Sequence, residues 1–135
     1  MTGLTFHHFG LAVKNPQDAI TFLTAQGYEL GEPVFDPNQN VHLMMGMHAS
    51  QPQVEVIYAG QDNGPIDKLV QRHASGIVYH LCYETQNLDE TLKQMEASGL
   101  RIITVSSPKP APLFGGRKVS FYNVMGMGLI EILES

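Results

Sequence analysis

The chain has little with which to cross-link itself, bind a polyanion or enter a membrane. Cys82 is the sole cysteine among 135 residues, so no intramolecular disulfide is available. Its place two residues after His80, in an apolar stretch, reads as a buried core thiol. Eight Lys and Arg stand against 13 Asp and Glu, for a net charge of −5. The cations are scattered rather than striped, which argues against a nucleic-acid partner but leaves a small anionic ligand open. No run approaches the ~20 apolar residues that span a bilayer, so no membrane partner is expected. The N-terminus lacks a basic segment followed by a long apolar one. A cytoplasmic location is the expectation. With 43% hydrophobic residues a chain of this length can bury a real core, and one domain over 1–135 is expected.

A repeat is present. Sliding the sequence by 72 residues lays His8 on His80, Asn15 on Asn87, Asp18 on Glu90, Ala25 on Ala97 and Gly27 on Gly99, without a gap. Each half then closes on a carboxylate inside an apolar strand, Glu55 in Gln53-Val-Glu-Val-Ile57 and Glu131 in Leu129-Ile-Glu-Ile-Leu133. Such duplication signals two copies of one supersecondary unit, each needing the other to cover a sheet face.

Within the first copy, residues 5–13 read as a strand. Asn15-Pro16 starts a helix with Ala19, Ile20, Phe22 and Leu23 at helical spacing, and Gly27 stops it. Strands are expected over Tyr28–Val34, Val41–Met47 and Gln53–Tyr58, with a turn at residues 36–40. Residues 61–76 read as a connection with a short helical stretch, 66–71. The second copy, about 77–135, repeats the order with a strand over 78–85, a helix over 88–97 and a strand over 100–105. A Pro/Gly loop over 106–116 precedes strands at 118–124 and 129–133. The expected class is α+β, with two tandem βαβββ modules (the first about 5–60) forming a curved, barrel-like mixed sheet around a cleft.

Strand alternation puts His8 on the face opposite His7, and separates Glu55 and Glu131 from their branched neighbours. A carboxylate buried without a partner costs several kcal/mol, so a cation is the natural companion if these strands are covered on both faces. If instead the sheets are half exposed, both glutamates simply face water. Two imidazoles and two carboxylates form a donor set for a divalent ion, and Zn, Co, Ni, Mn and Mg all remain open. His42, within Val41-His-Leu-Met-Met-Gly-Met47, either caps a strand edge or moves protons. Met44, Met45 and Met47 read as core or pocket wall, and His48 and His73 as surface residues. Phe114-Gly-Gly-Arg117-Lys118 reads either as a hairpin connection or as a flexible lip whose cations meet a ligand's phosphate or carboxylate.

The segments His8-Phe-Gly-Leu-Ala-Val13, Gln53-Val-Glu-Val56, Tyr79-His80-Leu81 and Gly128-Leu-Ile-Glu131 resemble four strands of the vicinal-oxygen-chelate superfamily. That group includes glyoxalase I, methylmalonyl-CoA epimerases, extradiol dioxygenases and drug-resistance proteins. The resemblance implies that His8, Glu55, His80 and Glu131 are metal ligands. Gly64-Pro65-Ile66 through Leu69, the Gly76–His80 approach and Phe114 through Phe121 look most like methylmalonyl-CoA epimerases. Two positions depart from that group. Some epimerases have glutamine where this chain has Glu55, while glyoxalase I has glutamate, and certain epimerases have a second glutamate acid/base at the position of His42.

The resemblance implies a metal-dependent epimerase or isomerase that removes an α-proton and stabilises an enediolate. Glu131 is the first candidate base, with Glu55 or His42 as the second group, and Phe114, Arg117 and Lys118, if they form the lip, are the candidate substrate-binding residues. A glyoxalase I-like lyase acting on a glutathione adduct and a non-catalytic binding or resistance protein remain alternatives. A homodimer is expected, since small modules with exposed sheet edges favour association.

Overall fold

Asn15 and Asn87 do the same work at the two ends of the 72-residue offset. In the computed structural model, which describes residues 1–60 and 64–135, each caps a ten-residue helix. The Asn15 Oδ1 accepts the Gln17 N–H at 3.0 Å at the start of α1 (Pro16–Ala25), and the Asn87 Oδ1 accepts the Glu90 N–H at 3.1 Å at the start of α3 (Leu88–Ala97). Both helices run on into glycines with positive φ, Gly27 at 95° and Gly99 at 85°, where a Cβ would be strained. Truncating either cap, Asn15→Ala or Asn87→Ala, is expected to destabilise the fold by about 1 kcal/mol. Urea midpoints with unchanged slopes measure this.

The chain divides into two compact units, His8–Tyr79 and the combination of Met1–His7 with His80–Ser135. Here they are termed the first and second units. The strands are β1 (Thr5–Ala12), β2 (Glu29–Leu30), β3 (Val34–Asp36), β4 (Val41–Met47), β5 (Gln53–Ala59), β6 (Ile77–Thr85), β7 (Ile102–Pro110), β8 (Lys118–Val124) and β9 (Gly128–Glu134). A short helix, α2 (Asp67–Arg72), lies in the connection, part of which, residues 61–63, falls outside the described residues.

In the first unit the order is β2-β4-β5-β1, with β3 also on β4; β1 and β5 are parallel and the other pairs antiparallel. The second unit repeats the plan as β7-β8-β9-β6, with β6 and β9 parallel. The class is α+β, as expected. In each unit one sheet face is covered by its helix. Leu23, Ala19 and Ile20 of α1 pack with Phe9, Leu11, Val54 and Val56. Met95, Leu88 and Leu92 of α3 pack with Leu81, Tyr83, Ile130 and Ile132. Alternation then sends His8 and Glu55, or His80 and Glu131, to the face away from the helix.

Two boundaries differ from expectation. The strand expected over Tyr28–Val34 is broken into β2 and β3. Leu30 pairs with Gly46 and Val34 with Leu43, so three residues oppose two. Pro33, lacking an N–H, falls within this bulge, and Gly31 still donates to the Met45 carbonyl at 2.8 Å. Conversely, much of the loop expected over 106–116 is strand. β7 runs on to Pro110 through register shifts between Thr104 and Ser106 and between Ser106 and Lys109, which absorb Pro108. Only Pro112–Phe114 forms a tight helical turn before Gly115.

Candidate metal centre

Each unit contains one buried imidazole–carboxylate pair at the same place in its topology. In the first unit, Gly10 is the register partner of Glu55 and His8 that of Gln53, so the two parallel strands hold His8 and Glu55 on one face. The His8 Nε2 lies 3.7 Å from the Glu55 Oε1. In the second, Cys82 is the partner of Glu131 and His80 lies two residues away on the same face. The His80 Nε2 lies 3.2 Å from the Glu131 Oε1. Exposures are 0% for His8, 3% for Glu55, 3% for His80 and 2% for Glu131, so the glutamates are not aimed at water. Cys82 is buried at the core of the second unit.

Burying a carboxylate against Val, Ile and Leu requires a compensating donor or cation. Ligands held at about 2.0–2.2 Å from a divalent ion, at angles from octahedral to tetrahedral, lie roughly 2.8–3.6 Å apart. The His80–Glu131 separation falls within that range. The His8–Glu55 separation, at 3.7 Å, lies slightly beyond it. Nitrogen and oxygen donors of this type suit a borderline or hard divalent ion. On donor chemistry, burial and spacing, both pairs fit a metal.

His42 is placed differently from the glutamates. It is the cross-strand partner of Tyr58, on the helix-covered side of β4 and β5, whereas Glu55 is partnered by Met45 on the other side. Its ring stacks on Tyr58, with centroids 5.0 Å apart and planes at 21°, and tilts against Phe35 at 5.2 Å. The intact β4–β5 register, without a bulge, therefore assigns His42 and Glu55 to opposite faces of the sheet. His48, expected at the surface, is half-buried. Its Nδ1 accepts the Ser50 and Gln51 N–H groups at 3.0 Å each, which leaves Nε2–H to donate to the Gln26 carbonyl at 2.9 Å. It ties the end of α1 to the β4–β5 turn.

Of the lip residues, Phe114 packs edge-on to His7 at 5.5 Å. Arg117 is held at the end of the unit, its Nη2 3.0 Å from the Glu84 Oε2 and its Nε donating to the Glu134 carbonyl at 2.9 Å. Lys118 is exposed at the start of β8. Phe121 was not singled out by the sequence. It ends the Phe114–Phe121 motif, and only its register opposite Glu131 brings it to the buried pair.

A family model described as the glyoxalase/bleomycin resistance protein/dioxygenase superfamily matches residues 7–121. The chain belongs to this superfamily. Among curated members it is 25% identical over 133 residues to the mitochondrial methylmalonyl-CoA epimerase of Dictyostelium discoideum, covering 95% of this chain and 76% of that protein. It is 21% identical over 104 residues to the ethylmalonyl-CoA/methylmalonyl-CoA epimerase of Cereibacter sphaeroides, covering 76% of this chain and 77% of that one. Among solved structures, a variant of the Streptomyces coelicolor methylmalonyl-CoA epimerase in complex with 2-nitronate-propionyl-CoA superposes with a TM-score of 0.75. The two are 18% identical, with 98% of each chain covered. At that identity the likeness concerns the superfamily fold.

Proposed function

We propose that this superfamily member is a divalent-metal-dependent epimerase of a small acyl-CoA with an acidic α-hydrogen, methylmalonyl-CoA being the most concrete case. The observation that carries the reading is the repetition of the buried pair, His8 with Glu55 and His80 with Glu131. The similarity to acyl-CoA epimerases supports the substrate class.

In this reading all four side chains, His8, Glu55, His80 and Glu131, serve one ion, whether Zn, Co, Ni, Mn or Mg. The ion, when bound, supplies Lewis-acid stabilisation of the negative charge that develops on the substrate's carbonyl oxygen as the α-proton leaves. Glu131 accepts that proton at a carboxylate oxygen. Glu55 is the second group: with its carboxyl protonated it would deliver its own proton to the opposite face, so that the centre inverts while Glu131 keeps the proton it removed. Apolar neighbours of the two pairs, Ile57 and Ala12 in one unit and Leu133 and Cys82 in the other, exclude water and strengthen these charge interactions. Phe114 and Lys118 contact the acyl-CoA, Lys118 through its phosphate or carboxylate groups, while Arg117 braces the segment through Glu84.

The test is metal analysis of the purified protein followed by incubation in deuterated solvent with methylmalonyl-CoA and, separately, with the glutathione hemithioacetal of methylglyoxal. Metal-dependent deuterium incorporation into the thioester supports the epimerase. Turnover of the glutathione adduct alone would move the assignment to a glyoxalase I-like lyase, and a protein that takes up no metal would leave a binding role.

We also propose a homodimer. β7 ends the strand order of the second unit and leaves Ile103 65% and Val105 54% exposed, a surface suited to association. Sedimentation is expected to give twice the chain mass, and Ile103→Glu to shift the population towards monomer. Among the described residues no helix is long and apolar enough to cross a membrane.

A further inference from the structure

One aromatic ring in the second unit bears on both members of its buried pair. Phe121 is the cross-strand partner of Glu131, and its ring meets the His80 imidazole with centroids 5.6 Å apart and planes at 85°. It is 8% exposed, and Val119, Leu133, Ala111 and Cys82 pack with it in one cluster. An imidazole has a broad torsional preference about its outer χ angle, so the backbone of β6 by itself does not fix the plane of the His80 ring. A near-perpendicular aromatic neighbour does fix it, because rotation of either ring would lose the edge-to-face contact or drive the two rings together. The same residue lies across from Glu131, which is 2% exposed.

We infer that Phe121 is a positioning residue, setting the His80 ring plane so that Nε2 addresses both Glu131 and the ion assigned above. The inference rests on that metal reading and concerns ligand orientation, not the reaction.

Co²⁺ titration of the full chain tests it, followed by calorimetry and by the visible absorption of the ion, which reports coordination geometry. Phe121→Leu, which keeps bulk but not the ring, is expected to weaken Co²⁺ binding on the order of tenfold and to change the spectrum, in line with partners that orient metal ligands. Phe121→Tyr should restore both. Val119→Ala removes packing from the same cluster without touching the ring, and should lower the melting temperature while leaving Co²⁺ affinity unaltered. Wild-type affinity and spectrum in Phe121→Leu would overturn the role of Phe121 alone, as would an equal loss of affinity in Val119→Ala. A wild-type protein that takes up no Co²⁺ would overturn the metal reading and this inference together.

Discussion

Glu131→Gln is expected to slow deuterium incorporation at the substrate's α-carbon by ~10²- to 10⁴-fold, the usual contribution of a positioned general base. The substitution is nearly isosteric. It keeps an oxygen able to approach the His80 Nε2, now 3.2 Å from the carboxylate, and it keeps the strand pairing with Phe121 and Cys82. It removes the group's ability to accept a proton. Metal content measured on the same preparation separates the two consequences, since a variant that retains its ion and loses exchange has lost a base. Unchanged exchange would remove Glu131 from that role. The companion variant, Glu55→Gln, probes the second carboxylate. If Glu55 delivers its own proton to the opposite face, inversion of the centre falls while wash-in of deuterium to one epimer persists through Glu131.

Addition of Co²⁺ or Zn²⁺ to the metal-free protein is expected to raise its melting temperature by roughly 12–24 °C. An ion at a thousandfold excess over its dissociation constant, bound by the folded state only, adds about 4 kcal/mol of stability. In a chain of 135 residues each kcal/mol moves the transition by roughly 3–6 °C. Both His8→Ala and His80→Ala should abolish most of that shift if, as proposed, one ion takes an imidazole from each pair. In the proposed site a bound ion would add a charge partner for each of the two buried carboxylates. A shift that survives removal of either histidine would show that the pairs do not share the ion. Scanning calorimetry at matched metal concentrations reads the result.

Local signals carried far in this chain. Asn15 and Asn87, matched by the 72-residue offset, cap equivalent helices because a short amide side chain satisfies orphan N–H groups wherever it precedes a helix. Gly27 and Gly99 are legible as stops because of their backbone freedom. Structure departs from these local signals where a long-range partner matters. The break between β2 and β3 depends on how residues 31–33 meet β4, and the extension of β7 depends on bulges that β8 tolerates. His48 looks like a surface residue until the carbonyl of Gln26 and the β4–β5 turn are brought to its two ring nitrogens.

From sequence alone came the duplicated order of elements, the α+β class and the identity of the two His/Glu pairs, since repeats, caps and period-2 alternation are properties of neighbouring residues. Tertiary structure decided which face of each strand is covered by a helix, and with it the assignment of His42 and Glu55 to opposite faces and the arrival of Phe121 beside His80. Alternation says only that successive side chains point opposite ways. Which of the two ways faces the site is set by cross-strand register, where a slip of one residue exchanges the faces, and register is fixed by contacts between residues far apart in the chain.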